Sequence, residues 1–157
     1  MTTPSLTVRP ARESDLSTIV RMLSDDPLGS ERERFVEPLP SSYIAAFDAI
    51  EKDENNELVV AEGHASEILA VLQITFTPYI THQGGWRATI EGVRVNRNFR
   101  GSGVGRALFA WAIDRAKQRG CHLVQLTTDK KRPEALRFYE SLGFVPSHEG
   151  MKLKLGA

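Results

Sequence analysis

Residues 90–111 read IEGVRVNRNFRGSGVGRALFAW, and this stretch limits the fold more than any other part of the chain. It opens as an extended, partly alternating segment carrying Ile90, Val93 and Val95. It then breaks into the turn Arg100-Gly101-Ser102-Gly103-Val104-Gly105. From there Val104, Leu108, Trp111 and Ala112 recur at helical spacing. Strand, glycine-rich turn and helix in that order aim several backbone N–H groups at one point. The first amides of a helix lack internal partners, and the helix dipole adds partial positive charge there. Gly101, Gly103 and Gly105 carry no side chain that would hold a ligand off the backbone. Arg100 and Arg106 bracket the turn with fixed positive charge. The combination suits a pyrophosphate.

Three phosphate-binding loops are excluded by chemistry. A P-loop needs Gly-Lys followed by Ser or Thr, whereas Gly105 precedes Arg106. A dinucleotide fold needs Gly-x-Gly-x-x-Gly and an acidic residue closing the next strand. Here the spacing is Gly-x-Gly-x-Gly, and the next apolar run, 123–126, ends in Thr127-Thr128. A kinase glycine loop lies between two strands rather than at the head of a helix.

Arg100-x-x-Gly103-x-Gly105, after a strand and before a helix, resembles the acyl-CoA signature of the GNAT superfamily of N-acetyltransferases. About thirty residues on, ALRFYESLGF (135–144) resembles the family's late helix and the strand after it, where a tyrosine lies near the CoA sulfur. Two signatures in the right order are far more specific than either alone. The close match covers about 86–155. The resemblance implies an α/β fold: one mixed, mostly antiparallel sheet, splayed between its fourth and fifth strands, with helices on both faces. It also implies acetyl-CoA as cosubstrate, held in the gap between those strands. The positions it assigns to the cofactor are Val93, Arg94, Val95, Arg100, Gly101, Ser102, Gly103, Val104, Gly105, Arg106, Arg132 and Phe138. An amide near Val93 would polarise the thioester carbonyl, and Gly92 would mark the bulge that opens the gap.

With 157 residues, the expectation is one domain with a real core. Lys+Arg and Asp+Glu are equal at 20 each, which argues against a nucleic-acid surface acting through bulk charge. One cysteine excludes an intrachain disulfide and a cysteine metal cluster. The four histidines lack metal-ligand spacing, so no metal site is expected. No apolar run approaches membrane-spanning length, and MTTPSLTVRP lacks a signal peptide's apolar core. A cytoplasmic protein is the default expectation.

Before the central unit, Leu6 to Arg9 reads as a strand and 12–24 as an amphipathic helix capped by Ser14, with Leu16, Ile19, Val20 and Leu23 inward. Residues 25–40, with three prolines and Glu31-Arg32-Glu33-Arg34, form either a solvated loop with a short helical turn or a substrate-facing lid. Residues 41–52 read as a helix with Tyr43, Ile44, Phe47 and Ile50 inward. Residues 58–62 and 68–76 read as a hairpin, and His82-Gln83-Gly84-Gly85 as a turn into a strand over 86–95. After the central helix, Gly120 serves as C′ residue, 121–128 is a strand, and 133–142 is a helix starting on proline. Phe144-Val145 and 151–155 supply a last hairpin. Cys121 begins a strand and packs rather than reacts.

Acetyl transfer to an amine needs a neutral nucleophile and a leaving thiolate that is protonated or stabilised. A lysine-like amine is neutral roughly once in two thousand molecules at pH 7, so a carboxylate base helps. Glu91, one residue past Ile90, stands close to where some family members place such a glutamate; the alternative is a salt bridge to Arg87 or Arg94. By the resemblance, the Tyr139 hydroxyl donates to the leaving sulfur. Phe138 aligns with Ala135 and Leu142 on the buried stripe, which leaves Tyr139 at its edge. Many family members carry an asparagine seven residues before this tyrosine. Arg132 stands there instead and lacks the asparagine's acceptor, so it either pairs with CoA phosphates or belongs to an exposed basic turn.

The function implied is acetyl transfer from acetyl-CoA to a primary amine by direct attack in a ternary complex. The acceptor would be a small molecule; a protein or peptide acceptor and a CoA-binding sensor with little turnover are the alternatives. Selectivity would come from 25–40, 78–85 and 146–150. A homodimer suits such a sheet, although no sequence feature demands one.

Overall fold

The computed structural model describes residues 4–156. Strand β3 (Ile68–Pro78) is a nearly continuous apolar run, with Leu69 to Leu72, Ile74 and Phe76 buried, and it takes the middle of the sheet. Only a strand covered on both faces needs such a run. Among the described residues, five strands follow one another in order: β1 (Thr7–Pro10), β2 (Asn56–Glu62), β3, β4 (Trp86–Val95) and β5 (Cys121–Gln125). The first three neighbour pairs are antiparallel, and β4 and β5 run parallel. This is the mixed, mostly antiparallel sheet expected.

Helix α1 (Leu16–Leu23) covers one face, setting Ile19 and Met22 against Val60, Ile68 and Val71. The other face receives the long helix that follows the glycine-rich turn. It is α5 (Val104–Gln118), whose buried Val104, Leu108, Phe109, Ala112 and Ala116 form one helical stripe. Arg115 and Arg119 fasten its far end, both meeting Glu57 on β2 at 2.6 and 3.6 Å. Between α1 and β2 in chain order come α2 (Pro27–Arg32) and α3 (Ser41–Glu51). A single turn, α4 (Thr81–Gly84), is kinked by the left-handed angles of His82 and Gln83. Helix α6 (Pro133–Ser141) follows β5. No helix of the described residues is long and apolar enough to cross a membrane.

Three expectations need correction. Ser14 does not cap the first helix, because a 3₁₀ turn at Glu13–Asp15 precedes it and Asp15 accepts the Arg12 N–H at 2.7 Å. In α3 only Phe47 is buried. Ile44 is exposed, and the Tyr43 hydroxyl accepts the Arg34 N–H while donating to Glu33, both at 2.9 Å. A helix at the sheet margin buries a narrower stripe than its apolar residues could fill. The last hairpin is absent: residues 144–156 contain no strand.

Among the described residues Asp15 is the buried charged side chain, 8% exposed, and Arg9 Nη1 donates to it at 2.7 Å. Burial pushes its carboxyl up, but the Arg9 side chain and the Arg12 amide outweigh that and hold it below the usual value. Asp15→Ala should cost about 1–2 kcal/mol at neutral pH, because it leaves the Arg12 N–H without its acceptor and takes one of two carboxylate partners from Arg9, which keeps Glu62. A carboxylate with a depressed folded pKa stabilises above its unfolded value near 4 and loses that contribution as pH falls through the folded value. Urea titrations should therefore separate variant from wild type at pH 7 and bring them together in strong acid.

Candidate active site

Along β4, Ala88 and Ile90 point into the core, which sends Arg87, Thr89 and Glu91 to the opposite face. The alternation then breaks. Gln73 faces Glu91 and Val71 faces Arg94, so Gly92 and Val93 both stand opposite Leu72. This is the bulge expected at Gly92, and the positive φ of 60° there explains the glycine. Past it Val93 and Val95 turn to the core while Arg94 reaches toward α1 and α2. Strand β5 pairs with β4 only between Trp86 and Thr89. From Ile90 onward, the β4 edge on that side has no strand partner, so the two strands part where the sequence resemblance places a splay.

The gap leads to the head of α5. Gly103 sits just before the helix at φ 87°, a left-handed angle that bulkier side chains resist, and it offers no side-chain cap. The first helical bond runs from the Ala107 N–H to the Gly103 carbonyl at 3.0 Å. The N–H groups of Val104, Gly105 and Arg106 precede it and are left facing forward. Gly105 is closely flanked: a Cβ there would lie 3.4 Å from both Phe138 Cζ and Val95 Cγ2, in van der Waals contact with each. Ser102 turns its hydroxyl back to the Phe99 carbonyl. Arg100 Nε donates to the Val95 carbonyl at 3.3 Å, and Arg106 reaches the Ser141 hydroxyl at 3.0 Å. Free amides, a helix dipole and two cations on one turn form a cradle of the right chemistry for a pyrophosphate.

Helix α6 walls the gap. The expected division of its aromatics is only partly met, since Phe138 and Tyr139 both pack on Phe109, with ring centroids at 5.7 and 5.5 Å. Phe144 lies 6.2 Å from the Tyr139 ring. Burial raises the Tyr139 phenol above its ordinary value, against the pull of Arg132 and Arg94. It is thus protonated at neutral pH.

Glu91 is exposed and forms no ion pair among the described residues, so neither salt bridge considered for it exists. Arg87 stacks over the Tyr79 ring at 4.5 Å, and Arg94 meets Asp26 at 3.2 Å. Glu91, Arg87, Thr89 and Gln125 line a cavity of about 790 Å³, bounded on the other side by residues 143–150. The Nε atoms of Arg87 and Arg94 are buried without partners.

Sequence reasoning missed Asp25 and Asp26. Arg97 and Arg100 bind Asp25, the latter at 3.7 Å, while Arg94 and Arg132 share Asp26. The Arg132 contact measures 2.7 Å, so this residue is not part of a free basic turn. The two acids tie the start of 25–40 to the end of β4, the glycine-rich turn and the head of α6. Nothing in their local sequence announces this. Cys121 is partly buried and its thiol is pushed up by burial, in keeping with a packing role.

Residues 21–144 match the family described as Acetyltransferase (GNAT) family. The chain is similar to the glucosamine 6-phosphate N-acetyltransferase of Trypanosoma brucei brucei, 27% identical over 96% of each protein. It is 39% identical over 67 residues to the aminoalkylphosphonate N-acetyltransferase of Salmonella typhimurium, covering 43% of this chain and 44% of that one. A crystal structure described as a transcriptional regulator from Bacillus halodurans C-125 is 60% identical, covers 96% of this chain and 100% of its own, and superposes with a TM-score of 0.93.

Proposed function

The chain belongs to the GNAT family of acetyltransferases, and on that premise we propose that it transfers an acetyl group to the primary amine of a small molecule, through a ternary complex. One observation carries this reading: β4 and β5 part at Thr89 beside a bulge, and the gap runs between an uncapped helix N-terminus and a protonated tyrosine.

Enzymes of this family use acetyl-CoA, which supplies an activated acetyl group as a thioester. The amides of Val104, Gly105 and Arg106, with the Arg100 and Arg106 guanidinium groups, would hold its pyrophosphate; Val93, Val95 and Phe138 would flank its arm. Arg94 and Arg132 are assigned a steadier role than direct phosphate contact, because each already pairs with Asp26. The Glu91 carboxylate accepts the proton that the acceptor ammonium must lose. The Tyr139 hydroxyl holds a proton at Oη for the departing sulfur. A raised phenol suits that task because it stays protonated wherever the amine begins to lose its own.

Arg87 favours an acceptor that carries an anion as well as an amine. It lines the same cavity as Glu91, has no acidic partner among the described residues, and keeps a buried, unpartnered Nε. Two relatives are named for acceptors that combine an amine with a phosphorus oxyanion. The test is thiol release from acetyl-CoA against aminoalkylphosphonates, hexosamine phosphates, polyamines and short peptides. Saturable turnover confined to the first two groups is expected. Turnover with peptides alone would overturn the small-molecule reading. The description of the Bacillus halodurans relative favours a second reading, a module that senses CoA with slow turnover. Silence across the panel beside tight CoA binding would shift weight to it.

A further inference from the structure

Asp26 satisfies three partners at once. Its Oδ1 accepts the Gly29 N–H at 2.5 Å and so caps α2. Its Oδ2 accepts from Arg94 Nη1 at 3.2 Å, and Arg132 Nη2 lies 2.7 Å from the same oxygen in an ion pair. One carboxylate therefore joins the start of α2, the end of β4 and the head of α6. The cap has little room to slide, because Gly29 packs so closely that an added Cβ would overlap the Leu23 carbonyl. The Arg94 side chain is only 11% exposed. Burial opposes its charge most, and Arg132, Arg32 and Arg100 oppose it further, so the guanidinium is held below its ordinary value while Asp26 acts the other way. Arg97 and Arg100 have Asp25 as their own acid, and Arg32 has Glu33. Arg94, Arg132 and Asp26 are left as a cluster of two cations and one anion.

This cluster acts on Tyr139. Arg132 stands at the N-cap of α6, and Tyr139 follows it about two turns along the same helix. Arg132 and Arg94 both pull the phenol down, against the larger effect of burial. The other charged groups on the elements around the ring are turned elsewhere. Arg106 on α5 reaches Ser141, and Glu91 on β4 lines the cavity. Glu134, Arg137 and Glu140 of α6 itself are exposed to water.

We propose that Asp26 is a positioning residue for the transfer step: it ties Arg94 on β4 to Arg132 on α6 and balances their charge beside the Tyr139 hydroxyl. The tie fixes the spacing of two walls of the gap. The balance leaves the phenol its proton, which two uncompensated guanidinium groups would draw off. That role rests on the acetyl-transfer reading above, whereas the charge balance is measurable in the free protein.

Tyrosine isotope-labelled at Cζ reads the phenol by NMR, and the chain has only three tyrosines. In Asp26→Asn, which keeps an oxygen for the Gly29 cap, the Tyr139 signal should titrate at lower pH than in wild type. Arg132→Gln should move it the opposite way. The two substitutions together restore the charge count and should bring the signal back close to wild type. An Asp26→Asn signal that titrates with wild type overturns the inference. If Asp26→Asn does not fold alone, adding it to Arg132→Gln carries the same test, and a signal unmoved by that addition overturns it too. Thiol release from acetyl-CoA with aminoethylphosphonate reads the transfer step. Asp26→Asn should lower kcat roughly 10-fold at about pH 9, with a fall at alkaline pH that wild type lacks. In a Tyr139→Phe background the same substitution should change kcat by about twofold or less. An equal loss in both backgrounds means a purely structural role and overturns the proposal. A phenol that moves while Tyr139→Phe works as fast as wild type supports the charge balance and removes only the acetyl-transfer role of Tyr139.

Discussion

Tyr139→Phe should lower kcat by roughly 100-fold, the scale of one general acid, while CoA affinity stays unchanged. The substitution removes one oxygen and keeps the ring that packs on Phe109 and Phe144, so the aromatic cluster and the fold should survive. Single-turnover thiol release reads the chemical step, and calorimetry with CoA reads binding. The pH dependence sharpens the test. A phenol raised by burial donates a proton up to and beyond its ordinary value near 10 and fails only above that. Wild-type rates should therefore climb as the acceptor amine deprotonates, with no tyrosine-dependent fall below about pH 10. Equal rates for variant and wild type would remove Tyr139 from the chemistry.

Gly103→Val should weaken CoA binding by about 100-fold, the equivalent of two charge-assisted hydrogen bonds. A β-branched residue resists the left-handed angle at this position. Relief of that strain would turn the turn's backbone and displace the amides of Val104 and Gly105 from their common direction. The space around the neighbouring Gly101, also at a left-handed angle, is open, so strain rather than collision would oppose a side chain at that position. Gly105 differs, since a Cβ there would come into van der Waals contact with Phe138 and Val95. Calorimetric titration with CoA gives the affinity, and thermal unfolding should show only a modest loss of stability. Full affinity in the variant would mean that these amides do not hold the pyrophosphate.

The central strand, turn and helix could be read before any coordinates because each depends on contiguous residues. Helical spacing placed α5, the proline and glycine punctuation placed α6, and Gly92 marked the bulge. The C-terminal segment shows the limit: the alternation of 151–155 reads as a strand, but residues 144–156 contain none, because a pattern says which face wants burial and not whether a partner strand lies within reach. The aromatic pair shows another limit: 100° of helical rotation separates Phe138 from Tyr139, yet Phe109 is broad enough to receive both.

By itself the sequence determined the order of elements, the glycines at left-handed angles, the phosphate-seeking turn and membership of an acetyltransferase family. These follow from local sterics and short periodicities, which act between neighbours in the chain. Only the tertiary structure decided which charges meet. Asp26 and Arg94 are 68 residues apart and Asp25 and Arg97 are 72 apart, and either acid could have chosen among many arginines. Glu91 was left free for the cavity because the folded sheet sends Arg94 to Asp26 and Arg87 to Tyr79. Ion-pair partners are set by where the backbone carries each side chain, and that placement is a property of the whole packed sheet.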